Sequence, residues 1–534
     1  MALDKITQTF TKGYSGDASP FVLDLTQVSA VKNMLFERGL LISRPGLTTL
    51  ATGLSNAFPY SLCCPAEYLQ NLGILTYTDG LANANTPIKF KPISLIMVNP
   101  GDKPLAESGL TTSGTALVAP NYQGNYIPRA CLYEQQLIIG PLGLIKTTLA
   151  IFASDPTAYT LITTPVPFAY SCAHSSRLIG IAGVAYPAPQ PNVYWSKIND
   201  PTTWTGDFTT GNAALPDAED PPTVAGVMRS ILVIGRKQGF HLGMLTGNGS
   251  NPYDFKCMTK QATGVVYPDT FQIYNDIAYF LSDSDVSTYD LSQTNSLGEG
   301  VVTELFSLIR AGYCPHAFIT RTYKQGGFRP QYHVFLTYKP TTNTFAMSGI
   351  PPATHFCYDI TEQKWSRHVY DAFAADALPS DGFILNYNVI GGSVANNTHN
   401  PMVASTVGIF RQTIPFSYAW WDYNVPCESA QSFTTGRIQI DDPTEEFKIV
   451  RMLVVANCSA NATACNATYN SFLGNASSSQ TIGFTLNTGW NRVWVNAVRV
   501  GQFFTVKIDV PAGVYVEFRQ LVLVHETSAQ EVRV

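Results

Sequence analysis

Eight histidines stand at positions 174, 241, 316, 333, 355, 368, 399 and 525, and no two form an HxH or HxxxH pair. Any metal site would have to gather its ligands from separate elements, because no local spacing presents two imidazoles to one ion. Cys172-Ala173-His174 and Cys314-Pro315-His316 set a thiol near an imidazole. A nucleophile and its base must meet in space, which adjacency along a chain does not provide, so a core cysteine beside a polar histidine accounts for both. Asp441, Asp442, Glu445 and Glu446 offer carboxylates of the type that cleave glycosidic bonds, but they surround Pro443 and read as a solvated turn. Ser282-Asp283-Ser284-Asp285 resembles a sialidase Asp-box without its Gly and Trp, and reads as a hairpin turn. There is no Gly-x-Ser-x-Gly elbow, and the glycine-rich run Gly243 to Gly249 lacks a P-loop lysine. These readings point to binding or architecture: a non-enzymatic chain, with no metal and no cofactor.

The elements that would carry such residues are almost all strands. Two segments have helical spacing, Leu23 to Phe36 and Val301 to Ile309, the second with Leu305 and Ile309 four apart. Elsewhere, runs of four to eight residues rich in Val, Ile, Tyr, Phe and Thr are punctuated by the 40 glycines and 34 prolines. Arg177 to Ala185 and Met228 to Gly235 are continuously apolar, as strands covered on both faces are. Phe271 to Tyr274 and Ile277 to Leu281 flank Asn275-Asp276, and His355 to Asp359 turns into Lys364 to Val369. That last unit reads as strand, Tyr-Asp, polar turn, Lys-Trp, in the manner of a kelch-like blade. The expected fold class is all-β, with a β-propeller-like body over residues 51–425; an array of sandwiches is the alternative. Residues 1–50 are expected to form an extended segment with the first strands. From 426 to 534 a C-terminal β-sandwich is expected, because Phe504, Val506, Ile508 and Val510 alternate with Thr505, Lys507 and Asp509. The low-complexity stretch Asn457 to Ser479 reads as a long loop within it.

Composition narrows the partners. The chain of 534 residues is 45% hydrophobic but only 13% charged, about half the roughly 25% of ordinary soluble domains. Its net charge is −5 and it has no Lys/Arg cluster, which argues against sequence-specific nucleic-acid binding. Met1 to Tyr14 has no apolar core of a secretory signal, and no run has the ~18 apolar residues of a membrane helix. A protein without a membrane segment, made in a cytoplasm, is expected. None of the ten cysteines forms a CxxC pair, so reduced thiols are expected, with Cys458 and Cys465 the one plausible disulfide.

Two segments carry a resemblance. Val31-Lys32-Asn33-Met34-Leu35-Phe36, continuing to Ser43-Arg44-Pro45-Gly46-Leu47, resembles the opening of many phage virion proteins that precedes a propeller. Val193-Tyr194-Trp195-Ser196, Asp200-Pro201, Trp204, Leu232 to Gly235, Gly264 and Asn275 to Leu281 follow in an order similar to the central blades of one family. That family is the tail-nozzle, tail-hub or packaged-DNA stabilisation proteins of short-tailed bacteriophages. Val286 to Asp290 departs from it, with Ser and Asp where Gly is usual. The resemblance implies that Trp195 and Trp204 wedge between blades, that Gly264 marks a close approach of strands, and that Arg44, Pro45 and Gly46 form a turn. It also implies a virion tail protein, made in the bacterial host cytoplasm and assembled as a homo-oligomeric ring, a hexamer by expectation. Portal and adaptor rings would sit above, tail fibres or spikes outside, and double-stranded DNA would pass non-specifically along a mildly acidic bore. Another virion adaptor, a receptor-binding adhesin, or a glycan-binding or hydrolysing propeller are the alternatives.

Overall fold

The computed structural model describes residues 3–19, 23–44, 160–182, 191–338, 354–369 and 430–527 with short breaks, together with strands between 47 and 148 and between 389 and 412. Successive stretches of chain fold into antiparallel four-stranded sheets whose strands pair in chain order. These blades span 57–117, 129–162, 170–214, 224–259, 272–296 and 313–369, and are numbered 1 to 6. The first strand of each lies against the first strand of the next. A seventh sheet joins Met402–Ala404 and Gly408–Gln412 to Leu47–Thr52, so a strand from before blade 1 completes the last sheet. Met402–Ala404 in turn lies against Ala57–Cys63 of blade 1, which closes the ring. This is the topology of a β-propeller, whose blades shield one another's edges.

Local chemistry explains the blades. In blades 3, 4 and 5 the first two strands are joined by residue pairs with positive φ: Ser175-Ser176, Arg229-Ser230 and Asn275-Asp276. Such two-residue turns match the right-handed twist of the strands they join. The cores lie between blades. Ile181, Val193 and Trp195 of blade 3 meet Ala225, Leu232 and Ile234 of blade 4, and Phe240 of blade 4 stacks on Tyr289 of blade 5 with centroids 4.1 Å apart. Burying each such side chain contributes about 1.5–3 kcal/mol.

The ends of the chain combine in two six-stranded sheets. One runs Gly489–Gly501, Phe447–Cys458, Val516–Thr527, Leu40–Ser43, Met34–Glu37, with Leu3–Gln8 also on Val516–Thr527. The other runs Gly13–Tyr14, Gln27–Lys32, Gln431–Thr435, Phe503–Val510, Thr463–Leu473, Ala476–Leu486. Phe433 of the second sheet touches Phe518 of the first, with ring centroids 5.1 Å apart, and Phe504 touches Phe447 at 4.9 Å.

Three expectations change. Leu23 to Phe36 is not a helix: Gln27–Lys32 and Met34–Glu37 are strands. A bulge between Val28 and Ala30 puts the buried Val28 and Val31 three apart, which imitates helical spacing. Asn457 to Ser479 is mostly strand, within Phe447–Cys458, Thr463–Leu473 and Ala476–Leu486. Its inward residues include Thr463, Ala467 and Ser471, small or polar groups that hide the alternation. Cys458 and Cys465 are both free thiols, and burial pushes the Cys465 pKa up to about 12. The helix expected near 301 is present at Val302–Arg310; Asp17 accepts hydrogen bonds from the backbone N–H groups of Thr303 (2.9 Å) and Glu304 (3.3 Å), an N-cap supplied from the start of the chain.

Asn33 is the joint between these parts. Its φ of 59° suits asparagine better than most residues, and it is 1% exposed. Its backbone N–H donates to the Arg367 carbonyl of blade 6 (3.0 Å), and its own carbonyl accepts from the Arg44 N–H (3.1 Å). Its side-chain oxygen accepts from the Val369 N–H at 2.9 Å and from Arg44 Nε at 3.3 Å, while its Nδ2 donates to the Ala430 carbonyl at 3.0 Å. Asn33→Ala removes the side-chain bonds and leaves buried partners unpaired. It should destabilise the protein by about 3 kcal/mol or more, read as a lower denaturant midpoint at unchanged slope.

Candidate functional site

Among the described residues, strand Gly489–Gly501 is an edge of its sheet and pairs with Phe447–Cys458 alone. Alternation turns Asn491, Val495 and Ala497 inward and Trp490, Arg492, Trp494, Asn496, Val498 and Val500 outward. Trp490 is 58% exposed, Trp494 44%, Val498 63% and Val500 47%. The two indoles are four residues apart, about 13 Å along a strand. The face is held in place. The Asn491 carboxamide bonds the Asn487 N–H (2.9 Å) and the Asn487 and Gly489 carbonyls (2.6 Å each) at the preceding turn. At the other end, Arg499 bonds Gln480 Oε1 and the Ser479 carbonyl, both at 3.1 Å. The Arg451 guanidinium lies 4.2 Å from the centre of the Trp494 ring and fixes its plane. Exposed Trp and Arg side by side on an edge strand are the residue types enriched in protein-binding hot spots. Sequence reasoning passed over this strand. Its alternation is visible, but both faces carry apolar residues, so the outward one is not legible.

The residues singled out from sequence are dispersed. Arg44 is buried on Asn33; Pro45 and Gly46 lie outside the described residues. Trp195 packs among blades 3 and 4, its ring 5.6 Å from Tyr253. Trp204 packs among blades 2 and 3 beside Phe168 at 4.7 Å, and its indole N–H donates to the Pro201 carbonyl at 2.9 Å. At Gly264 an added Cβ would meet the Arg236 carbonyl oxygen at 2.1 Å and the Gly239 nitrogen at 2.5 Å.

The chemical candidates fare differently. Ser282 and Asp285 close a hairpin through Ser282 Oγ and backbone, as the sequence suggests. Asp441 and Asp442 lie outside the described residues, while Glu445 and Glu446 are exposed. His174 does not face a thiolate: its Nδ1 accepts from the Tyr253 hydroxyl (3.0 Å) and its Nε2 donates to the Ser230 carbonyl (3.0 Å). Burial lowers its pKa below the ordinary histidine range, against the opposing pull of the Ser230 bond. The spacing argument against metal ligands fails in blade 6, where His333, His355 and Cys357 converge although they are far from any linear motif.

Neither a family model nor a curated protein sequence matches this chain. Among solved structures, the chain is similar to the N-terminal domain of Nup159 (11% identity, 53% of this chain and 73% of that one, TM-score 0.33). It also matches a glycoside hydrolase (9% identity, 89% and 100%, TM-score 0.27). A β-fructofuranosidase from Schwanniomyces occidentalis follows (8% identity, 90% and 97%, TM-score 0.22). Likenesses this distant carry no argument about activity. The expectation of a non-enzymatic chain does not stand: it rested on missing linear motifs, and solved structures that match this chain over about nine-tenths of its length are glycoside hydrolases.

Gly264→Ala forces backbone against backbone and should cost about 2 kcal/mol, seen as a lowered thermal midpoint. His174 gives a pH dependence. Its folded pKa lies below its unfolded value of about 6.5, so between the two the unfolded chain binds more protons. Its contribution is complete above pH 6.5 and is lost as pH falls, by at most about 1.4 kcal/mol per unit. Comparing denaturant midpoints of wild type and His174→Gln from pH 7.5 to 5 should show the steeper acid loss in wild type.

Proposed function

We propose that this chain is a virion adaptor, a β-propeller body whose task is to hold a neighbouring tail protein, and that the Trp490–Val500 face is its docking surface. The observation that carries the reading is the pair Trp490 and Trp494, exposed on an edge strand that is braced at both ends. The order of motifs that resembles phage tail proteins supports the virion context, and the charged fraction of 13% suits a surface partly covered by partners. Fixing the Trp494 indole beforehand, against Arg451, lowers the entropy cost of association.

A second reading is a ring of copies conducting DNA. The aliphatic end of the same face, Val498 and Val500, favours it as a contact between subunits. Mass photometry separates the two, using the protein alone and with the products of the genes encoded beside its own. A complex with one of those products, weakened at least tenfold in Trp490→Ala/Trp494→Ala with an unchanged thermal midpoint, supports the adaptor. A closed multimer of the chain alone, lost in the double variant, supports the ring. Equal assembly in wild type and variant contradicts both, and retention of the wild type on a glycan panel, lost in the variant, turns the face into a carbohydrate site.

A further inference from the structure

One face of blade 6 gathers several histidines and a cysteine. Across strands Tyr313–Lys324, Gly327–Tyr338, Thr354–Asp359 and Lys364–Val369, the ladder aligns Phe318, His333, Cys357 and Ser366 in one row. The adjacent row on the same face is His316, Phe335, His355 and His368. His333 Nδ1 stands 2.9 Å from His355 Nε2, and one ligand atom from each of His333, His355 and Cys357 lies within 4.8 Å of the others. All three are almost wholly buried, at 2%, 5% and 1% exposure. Aromatic neighbours set the ring planes: His333 stacks on Phe318 with centroids 4.7 Å apart, and His355 on Phe335 at 3.9 Å. His368 sits opposite His355 with ring centroids 4.9 Å apart, and its buried Nδ1 has no hydrogen-bond partner.

We propose that blade 6 carries a site for one closed-shell thiophilic metal ion, Zn2+ or Cu+, held by His333, His355 and Cys357, with His368 as the available fourth donor. A tetrahedral ion with bonds of about 2.0–2.3 Å sets its ligand atoms roughly 3.3–3.6 Å apart. The separations here, from 2.9 Å to at most 4.8 Å, straddle that spacing, so rotamer adjustments suffice. Two imidazoles and a thiolate are the donor set such ions prefer over hard cations. Burial of His333, His355 and His368 favours the neutral imidazole, the form that binds metal. Cys357 packs on Leu35 and Ile42 of the hairpin that leads from Asn33 to Arg44. The donors belong to three strands of blade 6, so an ion here would tie those strands together.

The test uses the untagged full-length protein. Metal content as purified is read by inductively coupled plasma mass spectrometry, and the chelator-treated protein is titrated with Zn2+, with Co2+ as a spectroscopic substitute, and with Cu+ under anaerobic conditions. One ion per chain is expected, with a thiolate-to-cobalt charge-transfer band in the Co2+ form and a raised thermal midpoint in the ion-bound form. Cys357→Ser should lose that band and weaken binding at least tenfold. X-ray absorption of the wild-type complex should show one sulfur and two or three nitrogens, a readout independent of whether the variant folds. Absence of stoichiometric binding for all three ions, or equal binding and an unchanged spectrum in a folded Cys357→Ser, would overturn the proposal and leave a buried histidine pair joined by a hydrogen bond.

Discussion

The architecture depends on one buried carboxamide. Asn33 holds backbone groups from one nearby and two distant parts of the chain: Arg44 at the next strand end, Arg367 and Val369 in blade 6, and Ala430 where the chain leaves for the second set of sheets. An apolar residue would keep the backbone bonds to Arg367 and Arg44 but would orphan the Val369 N–H and the Ala430 carbonyl in the interior, at a cost of about 1–3 kcal/mol each. A propeller closes on itself and has little reason to bind anything else firmly. The ends of this chain are nonetheless brought to the ring, and the joint is polar, directional and buried. Around it the contacts are repeated: Asp17 caps the helix between blades 5 and 6, and Arg367 of blade 6 pairs with Glu304 of that helix at 2.6 Å.

How far the sequence announces this varies with the physics of each element. The blades are legible, because strands covered on both faces must be continuously apolar, as Met228 to Gly235 is. The turns are legible where asparagine and aspartate stand at positive φ, at Asn275-Asp276, and not where Ser175-Ser176 or Arg229-Ser230 do the same work. Irregularity defeats pattern reading: a single bulge at Val28 and Ala30 disguises a strand as a helix. Small inward residues disguise Thr463–Leu473 as a loop. Asn33 and Arg44 stand out in the sequence only as parts of a motif, and the reason for them is a set of partners some 300 to 400 residues away.

The sites are less legible than the fold. His333, Cys357, His355 and His368 belong to three strands of one blade, and only the ladder register places them in adjacent rows. No spacing rule for metal ligands anticipates ligands matched across hairpins, so searching for HxxxH motifs misses them by construction. The outward face of Gly489–Gly501 is hidden for another reason. Val495 and Ala497 make the inward face apolar too, so the sequence shows a two-faced strand without saying which face meets water. Side chains that serve the fold, such as Trp195 and Trp204, are conspicuous by size, whereas those exposed for a partner are conspicuous only once burial is known.

Through the bonds of Asn33, propeller and terminal sheets should behave as one body. Native-state hydrogen exchange at increasing denaturant tests this most directly. The amides of Asn33, Arg44 and Val369 should be released together, with the same free energy and denaturant slope as core amides of Val516–Thr527 and of blade 6. Exchange of the Asn33 and Arg44 amides through a separate low-energy opening, while both flanking cores stay protected, would contradict it.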